Sequence, residues 1–323
     1  MSTLDFFETE VRCLTSEADG VLSMELRHPL GHELPGWGAG SHLDVMLPNG
    51  QVRQYSLCSD PGKRESWRLA VLRERAGRGG SAYVHDELRP GTKIQVRGPK
   101  NNFAMAPARE YIFLAGGIGI TPILPMVRAA EAAGVPWRLI YLGRSRKNMA
   151  FLSELSVHGD RVLIHPDDEL GIYPLADLLV DPTGGFDLYA CGPGPLLNVI
   201  ETIAESWQDP SRLHLERFAV DPELAGAAVA PHQGDHEFTV EGTDGTEVLV
   251  PVGVSILQAL EESGRNPLNS CREGICGTCE TAVVSGDIEH RDSLLSQDER
   301  DAGDTMMICV SRCKGKRLVL ELD

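Results

Sequence analysis

Five of the eight cysteines in this 323-residue chain crowd its last fifth, at Cys271, Cys276, Cys279, Cys309 and Cys313. The spacing of the first four constrains the local fold more than any other feature. Cys271-Arg272-Glu273-Gly274-Ile275-Cys276-Gly277-Thr278-Cys279 sets three thiols at C-x4-C-x2-C, and Cys309 follows 30 positions after Cys279. This spacing suits a [2Fe–2S] cluster, because two irons and two sulfides need four thiolates in one small cage: a tight loop supplies three and a distant strand end returns the fourth. Gly274 and Gly277 let the backbone bend around the cluster and aim its N–H groups at the sulfides, which stabilises the reduced, more negative state. Two plainer readings use the same residues. One is a structural four-cysteine zinc site with Cys309 and Cys313 imitating a second close pair; the other is inert buried thiols, which is also the simplest account of Cys313.

Composition narrows the rest. The length admits two or three compact domains, and 42% apolar with 24% charged residues is globular composition. Thirty Lys plus Arg against 47 Asp plus Glu leave a net charge of −17, which repels a phosphate backbone or an anionic membrane surface, so neither nucleic acid nor membrane is an expected partner. The most apolar stretch, Tyr111 to Val127, has 17 residues with three glycines and two prolines, short of the roughly 20 apolar residues of a membrane span. The start, Met1-Ser2-Thr3-Leu4-Asp5, carries no secretory signal, so the cytoplasm is the default compartment, where clustered cysteines point to metal or redox chemistry sooner than to disulfides. Residues 235–323 hold 18 acidic and 8 basic residues. That local surplus is either solvated surface or an acidic docking face for a basic patch on an electron acceptor.

Along the chain, residues 1–106 show short alternating apolar runs at Val21 to Leu26, His42 to Leu47 and Trp67 to Leu72. The turns Pro48-Asn49-Gly50 and Asp60-Pro61-Gly62 separate them, a pattern that predicts a small antiparallel β-barrel interrupted by one helix, Ser81 to Leu88. From Glu110 the rhythm becomes strand, turn, helix. Strands are expected at 111–115, 138–142, 161–164 and 186–190, and a helix with Thr121 as N-cap, Pro122 at the first helical position, Pro125 in the first turn and Gly134 as the stop. Alternation of this kind implies a doubly wound α/β domain over 107–220. An Ala- and Gly-rich stretch, 221–234, reads as a linker. Beyond it, Glu237 to Val240 and Glu247 to Val250 predict a hairpin, and Ser255 with Gln258 predicts a capping box opening a helix that stops at Gly264.

Three further motifs bear on chemistry. Gly116-Gly117-Ile118-Gly119-Ile120-Thr121-Pro122 follows a strand and opens a helix, where glycines let the backbone approach a pyrophosphate; tight packing explains the same glycines. Cys191-Gly192-Pro193 ends a later strand of the same sheet, and since such sheets bind ligands at strand C-termini, the two turns can line one crevice with Cys191 a steric neighbour of the ligand. Arg144-Ser145-Arg146 can meet an adenosine ribose or its 2′-phosphate, or be a solvated basic turn. In the first domain, Arg53-Gln54-Tyr55-Ser56 ends a strand and Arg78-Gly79-Gly80-Ser81 opens the helix, offering a ring wall and phosphate donors for a flavin.

Taken together, Arg53-x-Tyr55-Ser56, Gly79-Gly80-Ser81, the Gly116 to Pro122 turn, Cys191-Gly192-Pro193 and the four-cysteine site resemble the ferredoxin–NADP reductase superfamily, and more closely the phthalate dioxygenase reductase family, which includes vanillate demethylase reductases. Gly98 to Phe103 and His290-Arg291-Asp292 also look like family segments. The resemblance implies three domains: an FMN-binding barrel, a nucleotide-binding α/β domain and a plant-type [2Fe–2S] ferredoxin domain of β-grasp α+β fold over 235–323. It implies FMN contacts from Arg53, Tyr55, Ser56, Val71, Leu72, Arg73, Gly79, Gly80, Ser81, Thr121 and Phe218. It implies NAD(P)H contacts from Gly116, Gly117, Gly119, Pro122, Arg144, Ser145, Cys191, Gly192 and Pro193. The family often carries an acid where this chain has Arg144-Ser145-Arg146, so NADH against NADPH stays open, with NADH favoured. The expected activity takes hydride from NAD(P)H onto FMN and delivers single electrons through the cluster to a Rieske-type oxygenase that demethylates or hydroxylates an aromatic substrate. The alternatives are a free-standing NAD(P)H oxidase or flavin reductase, and a zinc interaction module built on the four cysteines.

Overall fold

The computed structural model describes residues 6–74, 79–179, 185–218 and 234–322; the expected linker, apart from Gly234, lies outside them, as does Arg78. The chain divides into two compact units, Met1–Arg217 and Phe218–Asp323. In the first, β1 (Phe7–Ala18), β2 (Val21–Arg27), β3 (His42–Met46), β4 (Val52–Ser56), β5 (Trp67–Leu72) and β6 (Lys93–Lys100) form an antiparallel sheet in the order β4-β3-β6-β1-β2-β5. A bridge between Leu57 and Leu69 links its two edges, so the sheet curls into a barrel. Strand alternation fills that barrel with Val11, Met24, Leu26, Leu43, Val45, Leu69 and Val71. Strand β1 is absent from the sequence-based expectation because glutamates and threonines break its apolar pattern; Thr9 nevertheless points inward and donates to the Ile94 carbonyl at 3.2 Å. The opposite face of β3 carries a buried polar group: Asp44 accepts from Gln54 at 2.8 Å and from Arg97 at 2.7 Å, with Lys100 at 3.6 Å. The expected helix is present as Gly80–Asp86.

The same unit continues with β7 (Tyr111–Gly116), β8 (Trp137–Gly143), β9 (Val162–Pro166), β10 (Asp187–Cys191) and β11 (Leu213–Glu216), all parallel, in the order β11-β10-β7-β8-β9. Every residue of central β7 is buried. Tyr111, Phe113 and Ala115 enter a core shared with the barrel residues Val21, Cys58, Ala70 and Phe103, while Ile112 and Leu114 face the other side, as a parallel sheet covered on both faces requires. The helix after β7 runs Ile120–Ala133 and ends at Gly134 in the left-handed conformation, as expected. Its start differs. A short 3-10 turn, Gly117–Gly119, precedes it and Gly119 is the N-cap, so Thr121 is the second helical residue and donates to the Ile118 carbonyl at 3.0 Å. Pro125 accordingly lies in the second turn.

The second unit contains β12 (Phe238–Gly242), β13 (Glu247–Val250), β14 (Glu280–Ser285), β15 (Ile288–Glu289), β16 (Thr305–Met307), β17 (Arg312–Cys313) and β18 (Arg317–Leu320). A mixed sheet runs β13-β12-β18-β14-β16, with β12 and β18 parallel, and β15 pairs with β17 apart from it. The helix Ile256–Glu262 buries Ile256, Leu257, Ala259 and Leu260 in the core beside that sheet. Its capping box is half formed: the Gln258 N–H donates to Ser255 Oγ at 3.1 Å, but the Gln258 side chain turns to Glu262 at 2.8 Å. The complete capping box is Ser296 with Glu299, opening the helix Gln297–Ala302.

Candidate electron-transfer site

The order β11-β10-β7-β8-β9 makes the gap between β7 and β10 the point where the sheet's connections reverse, which is where such sheets hold ligands. The two expected turns meet there back to back. A Cβ on Gly119 would lie 2.1 Å from the Cys191 carbonyl oxygen, and one on Gly116 would lie 2.8 Å from Pro193 and 3.3 Å from Gly192. These two glycines therefore have a packing role: they let the helix start seat on the Cys191-Gly192-Pro193 turn. Gly117 differs, with φ at +56° and no atom within 4 Å of its would-be Cβ, and Pro122 is buried in the first turn of the helix that follows.

The barrel brings its own residues to this edge. Strand β4 ends at Ser56, whose hydroxyl bonds the Glu216 carboxyl at the end of β11, and Glu216 stands opposite Cys191 in the β10–β11 register. Glu216 Oε2 is buried and accepts no hydrogen bond. Burial pushes the Glu216 carboxyl up to about 8, against the pull of Ser56, and burial beside Glu216 pushes the Cys191 thiol well above its usual value. A thiol held protonated in this way is no nucleophile. Glu216 itself was legible in the sequence only as a neighbour of Phe218, because nothing in its local pattern shows that the β11 end meets the β4 end.

Around Ser56, the Tyr55 phenol is pushed up to about 12 by burial. Arg53 donates to the Val52 carbonyl at 2.7 Å and to Gln51 at 2.5 Å, and its Nε would stand 2.7 Å from a Cβ on Gly80. The Arg53 side chain thus lies against the helix start next to Gly79, a cradle that a larger residue at Gly80 would fill. The run Val71-Leu72-Arg73 reaches the same helix: His85 Nε2 lies 2.9 Å from the Val71 carbonyl, Arg73 pairs with Asp86 through both nitrogens at 2.5 and 2.7 Å, and Ser81 Oγ accepts the Glu74 N–H at 3.1 Å. Thr121 is buried at the Gly119 turn. Phe218 groups with the second unit and is 42% exposed.

Beyond β8, Arg144 is exposed and Ser145 buried, while Arg146 is held by Glu169 at 3.1 Å. The loop is tied to the barrel: Asp19 N–H donates to the Lys147 carbonyl at 2.8 Å, and Asn148 Nδ2 donates to the Asp19 carbonyl at 3.1 Å.

In the second unit, Cys271, Cys276 and Cys279 lie on the loop between Ile256–Glu262 and β14, and Cys309 follows β16. The Cys271 sulfur faces those of Cys276 and Cys309, and Cys309 faces Cys279. Cys276, Cys279 and Cys309 are buried; Cys271 is the partly exposed member. Hydrogen bonds from the neighbouring thiols and from the Glu273 and Ile275 N–H groups draw Cys271 toward the thiolate. Gly274 and Gly277 have φ of +72° and +70°, so the bend that both were expected to allow is present, and Cβ atoms there would press on Val310 and Leu294 at 2.6 and 2.9 Å. The Glu273 N–H points at Cys271 Sγ at 3.3 Å and the Cys271 N–H at Cys276 Sγ at 3.4 Å. Among the described residues no three His, Cys, Asp or Glu side chains are set to hold a single metal ion. The thiols form a chain instead, Cys276 to Cys271 to Cys309 to Cys279. Cys313 lies apart from them, its Sγ 3.5 Å from the Arg317 carbonyl oxygen.

Comparison with known proteins agrees in both units. Residues 13–105 match the oxidoreductase FAD-binding domain family, and residues 238–314 match the 2Fe-2S iron-sulfur cluster binding domain family. The chain is 42% identical over 315 residues to the phenoxybenzoate dioxygenase subunit beta of Ectopseudomonas oleovorans, covering 97% of this chain and 96% of that one. It is 39% identical to the phthalate 4,5-dioxygenase oxygenase reductase subunit of Pseudomonas putida, covering 98% and 97%. The solved phthalate dioxygenase reductase superposes with a TM-score of 0.70 at 34% identity, covering 98% of both chains. An intact self-sufficient cytochrome P450 monooxygenase matches with a TM-score of 0.84 at 42% identity; there the chain spans only 41% of the longer protein. Among the described residues no helix is long and apolar enough to cross a membrane. A barrel of the flavin-binding type, a parallel nucleotide-type sheet and a four-cysteine ferredoxin domain, all in the order of these relatives, place the chain in the oxygenase reductase family of phthalate dioxygenase reductase and vanillate demethylase reductase.

Proposed function

We propose that this chain is the cytoplasmic reductase component of a Rieske-type oxygenase system acting on an aromatic substrate, with FMN in a barrel over 1–106, NADH or NADPH on 107–220, a linker over 221–234 and a [2Fe–2S] cluster on 235–323. The observation that carries the reading is the bond of Ser56 to Glu216, beside Cys191, at the strand ends next to the sheet's reversal point. It joins the end of the barrel strand that would face a flavin ring to the two strand ends that would receive a nicotinamide. When bound, the flavin would accept one hydride, two electrons at once, and the cluster would carry electrons one at a time, which is why both belong in one chain.

The chain's own residues bind and orient. Tyr55, Ser56 and Thr121 border the ring, and Arg53 and Ser81 meet the phosphate next to Gly79 and Gly80. Gly117 and Pro122, on a turn seated by Gly116 and Gly119 against Cys191-Gly192-Pro193, leave room for the pyrophosphate. Arg144 and Ser145 receive the adenosine end. Cys271, Cys276, Cys279 and Cys309 would together hold the cluster, and partly exposed Cys271 marks the outlet toward the acceptor. A zinc module and a free-standing oxidase are disfavoured by full-length agreement with oxygenase reductases. A cytochrome P450 acceptor is the second reading, supported by the similarity to the self-sufficient P450.

The test is anaerobic titration of the purified chain with NADH and NADPH, with the released flavin identified by chromatography, followed by electron delivery to a purified Rieske oxygenase and to a P450. Flavin and cluster bands that bleach in sequence, released FMN and transfer to the Rieske centre are the expected results. A colourless protein containing stoichiometric zinc refutes the reading.

A further inference from the structure

The loop after β8 holds a hydrogen-bond direction that its partners dictate. Asp19 offers a carbonyl oxygen, which can only accept, and the Asn148 amide meets it through Nδ2 at 3.1 Å. Oδ1 of the same amide therefore faces Ser145, whose Oγ is 2.5 Å away. Because an amide oxygen also only accepts, the single hydroxyl proton of Ser145 is committed to Asn148, and Ser145 presents lone pairs in every other direction. Flipping the amide would set two acceptors against each other at Asp19. That carbonyl cannot swing away, since the Asp19 N–H donates to Lys147 at 2.8 Å and the adjacent Gly20 carbonyl accepts the Arg73 N–H at 2.8 Å.

Charge around the loop is divided, so the hydrogen-bond direction is what discriminates. Arg146 is engaged by Glu169 at 3.2 and 3.1 Å, and the Asp168 N–H donates to the Arg144 carbonyl at 3.1 Å. The latter bond draws Asp167-Asp168-Glu169, at the end of β9, alongside the loop. Among the described residues, Arg144 and Lys147 are the loop cations without an ion pair.

We propose that Asn148 makes this protein select NADH over NADPH. Ser145, held as an acceptor, takes a hydrogen bond from a free ribose 2′-hydroxyl; a 2′-phosphate, with almost no proton to give at neutral pH, meets only lone pairs there. The inference rests on the proposed placement of the adenosine end at Arg144 and Ser145. Asn148 acts through Ser145 and is a positioning residue.

The experiment compares kcat/KM for anaerobic flavin reduction by NADH and by NADPH in the flavin- and cluster-loaded full chain. NADH should lead by at least about tenfold. Asn148→Ala frees the Ser145 proton and should shrink that lead roughly 3- to 10-fold, chiefly through a gain with NADPH. Asn148→Asp loses the donor to the Asp19 carbonyl but keeps an acceptor facing Ser145 and adds negative charge, so the lead should persist or grow even as the loop loses stability. Equal losses with both nucleotides in Asn148→Ala would mark a merely structural role and overturn the proposal. So would a native preference for NADPH; if Arg144→Ala then abolished it, the loop would still be the adenosine site. KM values unmoved for either nucleotide in Arg144→Ala and Ser145→Ala would overturn both the proposal and the placement beneath it.

Discussion

Replacing Glu216 with glutamine should change how the first unit's stability responds to pH. The carboxyl sits at about 8 because burial disfavours its charged form, against 4.5 for an ordinary glutamate. Between those values the folded chain keeps a proton that the unfolded chain has released, so stability falls as pH rises through that window, by up to about 1.4 kcal/mol per unit. From pH 6 to pH 8 the loss comes to about 2 kcal/mol at most, or roughly 4–8 °C in melting temperature for a unit of this size. Glu216→Gln preserves shape and an acceptor for the Ser56 hydroxyl but cannot titrate. Subtracting its melting curve from that of the native protein cancels every other ionising group. The assay is thermal release of flavin from the loaded full chain, followed by fluorescence at pH 6, 7 and 8. The native protein should lose ground to the variant steadily with pH; parallel profiles, or a native protein that gains ground, would refute a buried, proton-holding carboxyl at this position.

Cys276→Ser should abolish most visible cluster absorbance and stop electron delivery to a one-electron acceptor, while NADH still bleaches the flavin. Gly119→Ala must push its new methyl away from the Cys191 carbonyl oxygen that lies 2.1 Å from the Cβ position, so it should cost about 1–3 kcal/mol and raise KM for the nucleotide. Gly117→Ala, strained by its positive φ but free of clashes, should cost about 1 kcal/mol in the same melting assay. Asp44→Ala leaves Arg97, only 12% exposed, without its carboxylate and should destabilise the barrel by about 3–5 kcal/mol. Lys100 and Arg97 outweigh burial and hold the Asp44 carboxyl low, so its contribution should be present at neutral pH and disappear only as acid protonates it. In the second unit Arg265, Arg272, Arg291, Arg300, Arg312 and Arg317 are all paired internally, which leaves the acidic surplus exposed; electron delivery to a basic acceptor should therefore slow as salt rises.

The four-cysteine site was the most legible part of this protein because three of its thiols are local: a nine-residue loop with glycines at the bends carries them, and the fourth needs only a strand to return it. Barrel and doubly wound sheet were legible through the alternation and strand-turn-helix rhythm of their strands, although β1 escaped because its inward Thr9 finds a hydrogen bond where the pattern demands an apolar residue. The capping box was read at Ser255 and is complete only at Ser296, since whether a side chain reaches back or forward depends on its neighbours in space. The sequence by itself determined the domain order, the cysteine set and the two glycine-rich turns at the strand ends. Only the tertiary structure decided that Gly116 and Gly119 seat those turns against each other, that Glu216 joins Ser56 and Cys191, and that Asn148 sets the direction of the Ser145 proton. Each of these depends on groups far apart in the chain, whose distance, burial and hydrogen-bond direction exist only once the strands have paired.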